Sequence, residues 1–571
     1  MKAVLALAAV LIAGPAAAAD PPNLDVVLTP HATGGADSYL GVRMTMQAPK
    51  LGAGAPLVRV PMKLVGIPRP DWGKDNLAAR DDQGPIPLTE ADEPPTPQGL
   101  YHRWSVARAT AGDVVVTWKA PPRRVTATTN NGPLFDLREE AGGFAGSGNG
   151  FFAAPVSEGP WKVHLTWDLS AAPAGSRGVW SLGEGTVDAV VPSEVLQFSY
   201  YYVGPIHSYP AKPDPHFSFY WLSTPPFDPN DLGDKMRALY GSMAKFFDDE
   251  KGSYRVFVRQ NPFKGTGGTG LARSFTFGYN YDARPTVDGL QGLLAHEMAH
   301  TWPALQGEHG DTAWYSEGTA EYYSTVLSWR AGAITGDKLL KTYNDRADAY
   351  YSNPYVAYTN AEAAKIFWTD PVAQTAPYGR GWMYLLQTDA AIRKASRGRH
   401  SLDDVVKELR RRQVAGKPYG IPEWLALVGA EIGPAQARAA YDHMVSGGLL
   451  VPPVKLYSGC LRVVKHPVRP FQLGFARASL NDDRIVRDLV PGSAADLAGV
   501  RNGDVIVDSS DINKVRGSET EQLTLTLRRG ETQTTVTYLP RGTPVEGYRW
   551  VREADERPGV APHPSTAECR F

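Results

Sequence analysis

The hydrophobic period of this chain changes twice, and that limits its folds more than any single motif does. From about Asp20 to Pro205 apolar and polar residues alternate. Asp113 to Trp118 reads Asp-Val-Val-Val-Thr-Trp, Lys162 to Leu169 sets Val163, Leu165 and Trp167 between polar residues, and Leu196 to Val203 is rich in aromatic and β-branched residues. Successive side chains of a strand point to opposite faces, so period two predicts half-buried antiparallel strands. A β-sandwich over 20–205 buries their apolar faces. Segment 68–97, rich in Pro and Asp, is expected to be loop. Past Asp228 the period lengthens to that of a helix, with Leu232, Met236, Leu239, Met243 and Phe246 in step. Strands are predicted at 254–259 and 274–279 around a glycine-rich 264–270, then helices dominate from Val287 to about Ser446. A few strands followed by many helices predict a mainly helical α+β domain over 206–450. Pro452 and Pro453 mark the next boundary, and 455–571 returns to short strands and turns. The expected fold class is therefore multidomain α+β.

Composition narrows the function classes. The formal net charge of −1 over 571 residues argues against a nucleic-acid partner or a polybasic membrane binder. Only two cysteines occur, Cys460 and Cys569, so a thiolate-rich metal site is excluded. Met1-Lys2, the apolar run Ala3–Ala13, the Gly14-Pro15 break and Ala17-Ala18-Ala19 have the layout of a secretory signal peptide over 1–19. The run is too short to span a bilayer, so no stable membrane anchor is expected. The mature protein is expected to be exported, periplasmic or secreted. In an oxidising compartment Cys460 and Cys569 are expected to form a disulfide.

The chemistry is carried by His296-Glu297-Met298-Ala299-His300. On a helix, positions four apart share a face, so both imidazoles reach one metal ion with Glu297 beside it. Val287, Leu290, Leu294 and Met298 supply the apolar stripe of that helix. A catalytic zinc usually takes three protein ligands and leaves a fourth position to water. Trp314-Tyr315-Ser316-Glu317-Gly318, on a second helical pattern running to about Arg330, offers Glu317 as the third ligand. Glu321 lies one turn further on. It either accepts the free ring N–H of a ligand histidine or is a solvated helix glutamate. His309, in the connecting loop, is expected at the surface.

These motifs resemble the gluzincin metallopeptidases, and within them the glycyl aminopeptidase family. Tyr322-Tyr323, Tyr378-Gly379-Arg380-Gly381 and Leu402-Asp403-Asp404-Val405 are similar to segments of the same family. The resemblance implies a thermolysin-like catalytic domain, one zinc ion per chain, and peptide or protein substrates. It implies that His296, His300 and Glu317 hold the ion and that Glu297 is the general base. Tyr378 matches the tyrosine whose phenol stabilises the oxyanion. It also implies a C-terminal PDZ-like domain. Leu473-Gly474-Phe475 is similar to a carboxylate-binding loop, and Gly492 to Ile506 to the PDZ core. The stretch from Arg516 to Glu521 is too short for the second wall of a peptide groove, so a reduced, structural PDZ-like cap is expected.

One departure bears on substrate choice. Family members hold the substrate α-ammonium with a Gly-Gly-x-Glu-His-x-x-Ser strand. Here the stretch is Gly267-Gly268-Thr269-Gly270-Leu271-Ala272-Arg273-Ser274. Gly267, Gly268 and Gly270 leave an edge along which an extended peptide can pair, but Gly270 stands where the glutamate is expected. Arg273 is expected to disfavour a positive amine. Three readings follow: an aminopeptidase-like enzyme, a zinc endopeptidase without amine recognition, or a noncatalytic peptide-binding protein with a vestigial metal site. No Gly-x-Ser-x-Gly elbow is present to suggest a nucleophilic serine hydrolase.

Overall fold

The computed structural model describes residues 5–6 and 20–552, apart from 74–75, 97–98, 128, 130–131, 158, 213, 264–266, 281–284, 369, 371, 457–460 and 481–482. Cys460, Cys569 and all of segment 1–19 except Leu5 and Ala6 lie outside the described residues.

The β-rich N-terminal part has sheets whose inner faces share one core. A seven-stranded sheet runs in the order Val187–Pro192, Pro160–Trp167, Asn23–His31, Tyr39–Met46, Val114–Ala120, Ala78–Asp81, Gly84–Ile86. Its Val26, Val42 and Val116 pack in the same cluster as Val58 and Val60 of the strand Pro56–Leu64, which belongs to a second sheet. A third, five-stranded sheet contains Tyr200–Gly204 and faces the helical part. Two local expectations fail. Segment 68–97 contains the strands Ala78–Asp81, Gly84–Ile86 and Leu88–Asp92, which complete sheet edges. Ala78–Asp81 and Gly84–Ile86 form a hairpin with each other, Leu88–Asp92 forms one with Gly99–Val106, and only the pairing of Ala78–Asp81 with Val114–Ala120 is distant. Leu196 lies in a helical turn, Ser193–Gln197, and the strand starts only at Tyr200.

The helical part is built on a six-stranded sheet. Tyr254–Asn261 runs parallel to Phe217–Trp221 on one side and to Ser274–Asn280 on the other. Gly267–Leu271 pairs antiparallel with Ser274–Asn280 and forms an edge. The two residues Leu5–Ala6 lie along that edge, opposite Thr269 and Gly270. The N-terminal part holds the edge strand from behind: Leu134 N donates to Thr269 Oγ1 at 2.9 Å and the Tyr200 phenol to the Thr269 carbonyl at 2.8 Å.

The helix Pro229–Phe246 starts where predicted. Asp228 caps it by accepting from the amides of Asn230 and Asp231, and Leu232, Met236, Leu239 and Met243 are its buried stripe. Val287–Ala299 is the histidine helix, capped by Thr286. His309–Arg330 is the glutamate helix and Ala376–Ser396 the tyrosine helix. The last two cross at a glycine contact. A Cβ on Gly381 would sit 1.8 Å from the Trp314 carbonyl oxygen, and one on Gly318 would sit 2.5 Å from the Gly381 carbonyl carbon. Only glycine at both positions permits this approach. Among the described residues, no helix is long and apolar enough to cross a membrane.

Two small three-stranded sheets lie beyond Pro453. One, Val505–Ser509 with Leu523–Arg529 and Thr532–Tyr538, covers a core of its own that includes Phe475, Ile506 and Leu525. The other pairs Leu461–Lys465 with Tyr548–Arg552. Through Trp550 it packs into the core of the helical part beside Tyr343 and Trp382.

Candidate metal centre

Three helices bring the motif residues to one point. The i, i+4 spacing of the histidine helix turns His296 and His300 to one side, and their Nε2 atoms lie 3.2 Å apart. Glu317 Oε2, from the glutamate helix, is 3.4 Å from His296 Nε2 and 3.5 Å from His300 Nε2. For a tetrahedral ion with bonds of about 2.1 Å, neighbouring donor atoms should be about 3.4 Å apart. The three atoms therefore form one face of such a tetrahedron. Glu317 Oε2 and both oxygens of Glu297 are buried without a hydrogen-bond partner. Buried carboxylate oxygens are normally satisfied, so this donor set fits a cation.

The surrounding groups hold the ligands in place. His296 Nδ1 lies 3.2 Å from Glu321 Oε1. Glu321 in turn is paired to Arg346, whose guanidinium also donates to the Glu321 carbonyl at 2.6 Å. Of the two readings open for Glu321, the geometry matches the one that orients a ligand histidine. Ser316 Oγ is 3.4 Å from His300 Nδ1.

Electrostatics agree. Burial alone would lower the His296 imidazole, but Glu321 and Glu317 raise it to about 10. Burial would raise Glu317 and Glu321, yet the histidines, and for Glu321 chiefly Arg346, bring both to about 2. Glu297, which lacks such partners, is pushed up to about 8 by burial, reinforced by Glu317 and Glu321 against the opposing pull of His296. Tyr378 stacks on His296, with ring centres 5.6 Å apart and planes 9° from parallel. Burial and then the nearby carboxylates Glu317, Glu297 and Glu321 hold its phenol well above its ordinary value, with Glu317 within hydrogen-bond reach. It is a neutral O–H donor.

The edge strand faces this cluster at Gly270. A Cβ there would sit 2.8 Å from Glu297 Oε2. Position 270 thus looks into the site, but the space a side chain needs is filled by the Glu297 carboxylate. Gly268 is packed against the Phe275 ring and Gly267 lies at the start of the strand. Arg273 does not reach the site: its guanidinium donates to Asp249 at 2.9 Å at the hairpin tip. His309 is not a free surface residue. It opens the glutamate helix, with its ring against Phe367 at 4.6 Å and Trp368 at 5.4 Å.

Sequence reasoning named Arg380 within the segment Tyr378–Gly381 but missed its surroundings. Arg380 has only 2% of its surface exposed. It donates to Asn360 Oδ1 at 2.5 Å and to the carbonyls of Tyr355, Val356 and Tyr358. The partners come from a segment some 20 residues upstream with no motif of its own.

No protein-family model matches this sequence, and no curated protein matches it. Solved structures do. The aminopeptidase N family protein from Idiomarina loihiensis is similar with a TM-score of 0.63 at 14% identity, over 93% of this chain and 98% of that one. An M1 zinc metallopeptidase mutant from Deinococcus radiodurans, bound to a Tyr-Ser-Ala substrate, has a TM-score of 0.47 at 18% identity, over 76% and 95% of the two chains. Native yeast LTA4 hydrolase has a TM-score of 0.46 at 13% identity, over 76% and 68%. Across nearly its whole length, this chain shares the fold of the aminopeptidase N family protein.

Proposed function

We propose that this protein is an exported zinc-dependent metallopeptidase of aminopeptidase-like type. One observation carries the reading: the near-equilateral triangle of His296, His300 and Glu317 donor atoms, with an unpaired buried carboxylate, Glu297, beside it. The likeness of fold to an aminopeptidase N family protein supports it. His296, His300 and Glu317 would hold the ion, and zinc suits two imidazoles and one carboxylate. When bound there, zinc supplies a Lewis acid that polarises a peptide carbonyl and acidifies water. Glu297, lacking a strong partner, is placed to take the proton of the attacking water and to pass it to the leaving amine. The neutral Tyr378 phenol donates to the developing oxyanion. The edge strand supports backbone pairing of an extended substrate, as Leu5 and Ala6 of this chain do opposite Thr269 and Gly270.

The rest of the reading concerns the other parts of the chain. Segment 1–19 is the leader and 20–205 a β-sandwich. Residues 206–450 are the thermolysin-like unit and 455–571 a PDZ-like cap. Two features favour a cap without a peptide groove. After Phe475 the chain makes a 3₁₀ turn, Arg477–Leu480, where a groove strand would run, and the helix Ile512–Arg516 has five residues. The partners are peptides or proteins, not nucleic acid.

A second reading, endopeptidase action, is favoured by the Gly270–Glu297 packing. Glu297, Glu317 and Glu321 are the carboxylates that act on Tyr378, and all three already have roles at the metal site. Two experiments test the proposal. Glu297→Gln should keep zinc, measured by elemental analysis, while hydrolysis falls about 10²–10⁴-fold; undiminished turnover would sink the mechanism. A glycyl peptide and its N-acetylated twin should differ strongly in cleavage rate if the free amine is read. Equal rates would select the endopeptidase.

A further inference from the structure

We propose that Tyr200 is a positioning residue for peptide hydrolysis: from the N-terminal part, and through Thr269, it sets the height of the edge strand Gly267–Leu271 above Glu297. The inference rests on the hydrolytic reading and gives the β-rich N-terminal part a role in substrate pairing.

The edge strand has little of its own to hold it in place. Three of its five residues are glycines, which lose the most conformational freedom on being ordered. A full strand, Ser274–Asn280, pairs with it on one side only, and along the other side lie just the two residues Leu5–Ala6. Behind it the N-terminal part presents an apolar surface, in which Tyr200, Tyr202, Tyr220, Phe257 and Leu271 form one cluster. Apolar contact has no direction, so it presses the strand inward without fixing where it stops.

Buried hydrogen bonds supply the direction. The Tyr200 phenol donates to the Thr269 carbonyl at 2.8 Å, and Leu134 N donates to Thr269 Oγ1 at 2.9 Å. Beyond them, Ser181 Oγ lies 3.0 Å from Ser274 Oγ, where the hairpin returns. Tyr200 and Thr269 are fully buried. Tyr200 is itself fixed, since its amide donates to Ser181 Oγ at 2.7 Å. Burial keeps the phenol above its ordinary value, so it is a neutral donor. Side chains alternate along a strand: Thr269 faces the N-terminal part, and its neighbour Gly270 faces Glu297, 2.8 Å from Oε2 at the place of a Cβ. A small shift of the strand therefore either presses on the base or carries the pairing edge away from it. The hairpin tip is anchored separately, because Asp249 Oδ2 accepts from Arg273 and from Trp302 Nε1, both at 2.9 Å. Loss of the Tyr200 bond frees the middle of the strand and leaves the hairpin in place.

The test uses the full-length protein loaded with zinc, and alanine peptides of increasing length with free and with acetylated N-termini, so that an aminopeptidase and an endopeptidase both find substrates. In the unaltered protein kcat/KM should rise with length, as longer peptides pair with more of the edge. Tyr200→Phe removes one hydroxyl. It should raise KM about 3- to 10-fold for the long peptides while kcat, and both constants for the shortest substrate, stay within about twofold. Thr269→Val, the second variant, should do the same, and the conservative Thr269→Ser should keep the original KM. Losses equal at every length mark a general structural role and overturn the inference, as do a KM unchanged in both Tyr200→Phe and Thr269→Val or a kcat/KM that never rises with length. Amide hydrogen exchange, read by mass spectrometry, is independent of activity. Exchange over 267–271 should be about 3- to 10-fold faster in Tyr200→Phe, with Val287–Ala299 unchanged. If no peptide is hydrolysed, the hydrolytic reading fails and exchange alone decides. A rise confined to the edge strand upholds the anchoring by Tyr200; no rise, or one spread over the whole chain, overturns it.

Discussion

Glu321 shows how much one residue can decide. Its carboxylate fixes the Nδ1 side of His296 while Arg346 holds the carboxylate itself. Groups behind a metal ligand set its orientation and basicity, and losing one typically lowers affinity about 10- to 100-fold. Glu321→Gln should therefore weaken zinc binding by that factor in a competitive chelator titration, with little change in fold. Gly270 makes a prediction of the opposite kind. Gly270→Ala adds one methyl group 2.8 Å from Glu297 Oε2, closer than carbon and oxygen normally pack. It should leave zinc content intact and lower kcat by displacing the base. Gly270→Glu should be at least as damaging and should not create an amine-binding aminopeptidase. The metal ligands were readable in the sequence because their spacing is dictated by helix geometry. The meaning of Gly270 was only half readable: the absence of a carboxylate could be seen, but not that Glu297 fills the space.

At the scale of elements, two buried contacts set the geometry of the centre. The first is the Gly318–Gly381 crossing, which fixes the distance between Glu317 and Tyr378. The second is a charge cluster behind the six-stranded sheet. Asp136, from the N-terminal part, accepts from Arg259 at 2.8 Å and Arg138 at 2.9 Å and lies 3.2 Å from Arg123. Burial alone would raise the Asp136 carboxyl, but the three guanidinia hold it well below its ordinary range. A depressed folded pKa gives stability that is present above the unfolded pKa and lost as pH falls below it. Stability should therefore decline on acidification below about pH 4. Asp136→Ala leaves Arg138 and Arg259 buried and Arg123 half-buried without their carboxylate and should cost about 3–5 kcal/mol at neutral pH, measured by denaturant unfolding. Helices were legible at this scale because their apolar stripes repeat within a few turns. The strands of 78–92 were not, because their Pro- and Asp-rich composition masks two short hairpins, and neither were the acceptors of Arg380, which lie on 355–360 outside any motif.

At the scale of the molecule, the order β, helical, β was legible from period alone, because each part buries its own kind of face. The docking between parts was not. Trp550 has 1% of its surface exposed and lies in the same cluster as Trp302 and Trp314. Asn344 clasps its backbone at 2.8 and 3.0 Å. Trp550→Ala should cost about 3–5 kcal/mol and lower the melting temperature of the helical part, not only of the C-terminal sheets. The same packing has a consequence for biosynthesis. A chain is made from its N-terminus, and the histidines near 300 leave the ribosome some 250 residues before Trp550 does. The indole that fills the side of this core beside Tyr343 and Trp382 is supplied only then. A chain that stops between Tyr378 and Trp550 would therefore carry His296, Glu297, His300, Glu317 and Tyr378 but lack the indole that packs on Tyr343 and Trp382. The strand Tyr548–Arg552 thus ties the packing of the helical part to residues translated some 250 positions after its histidines.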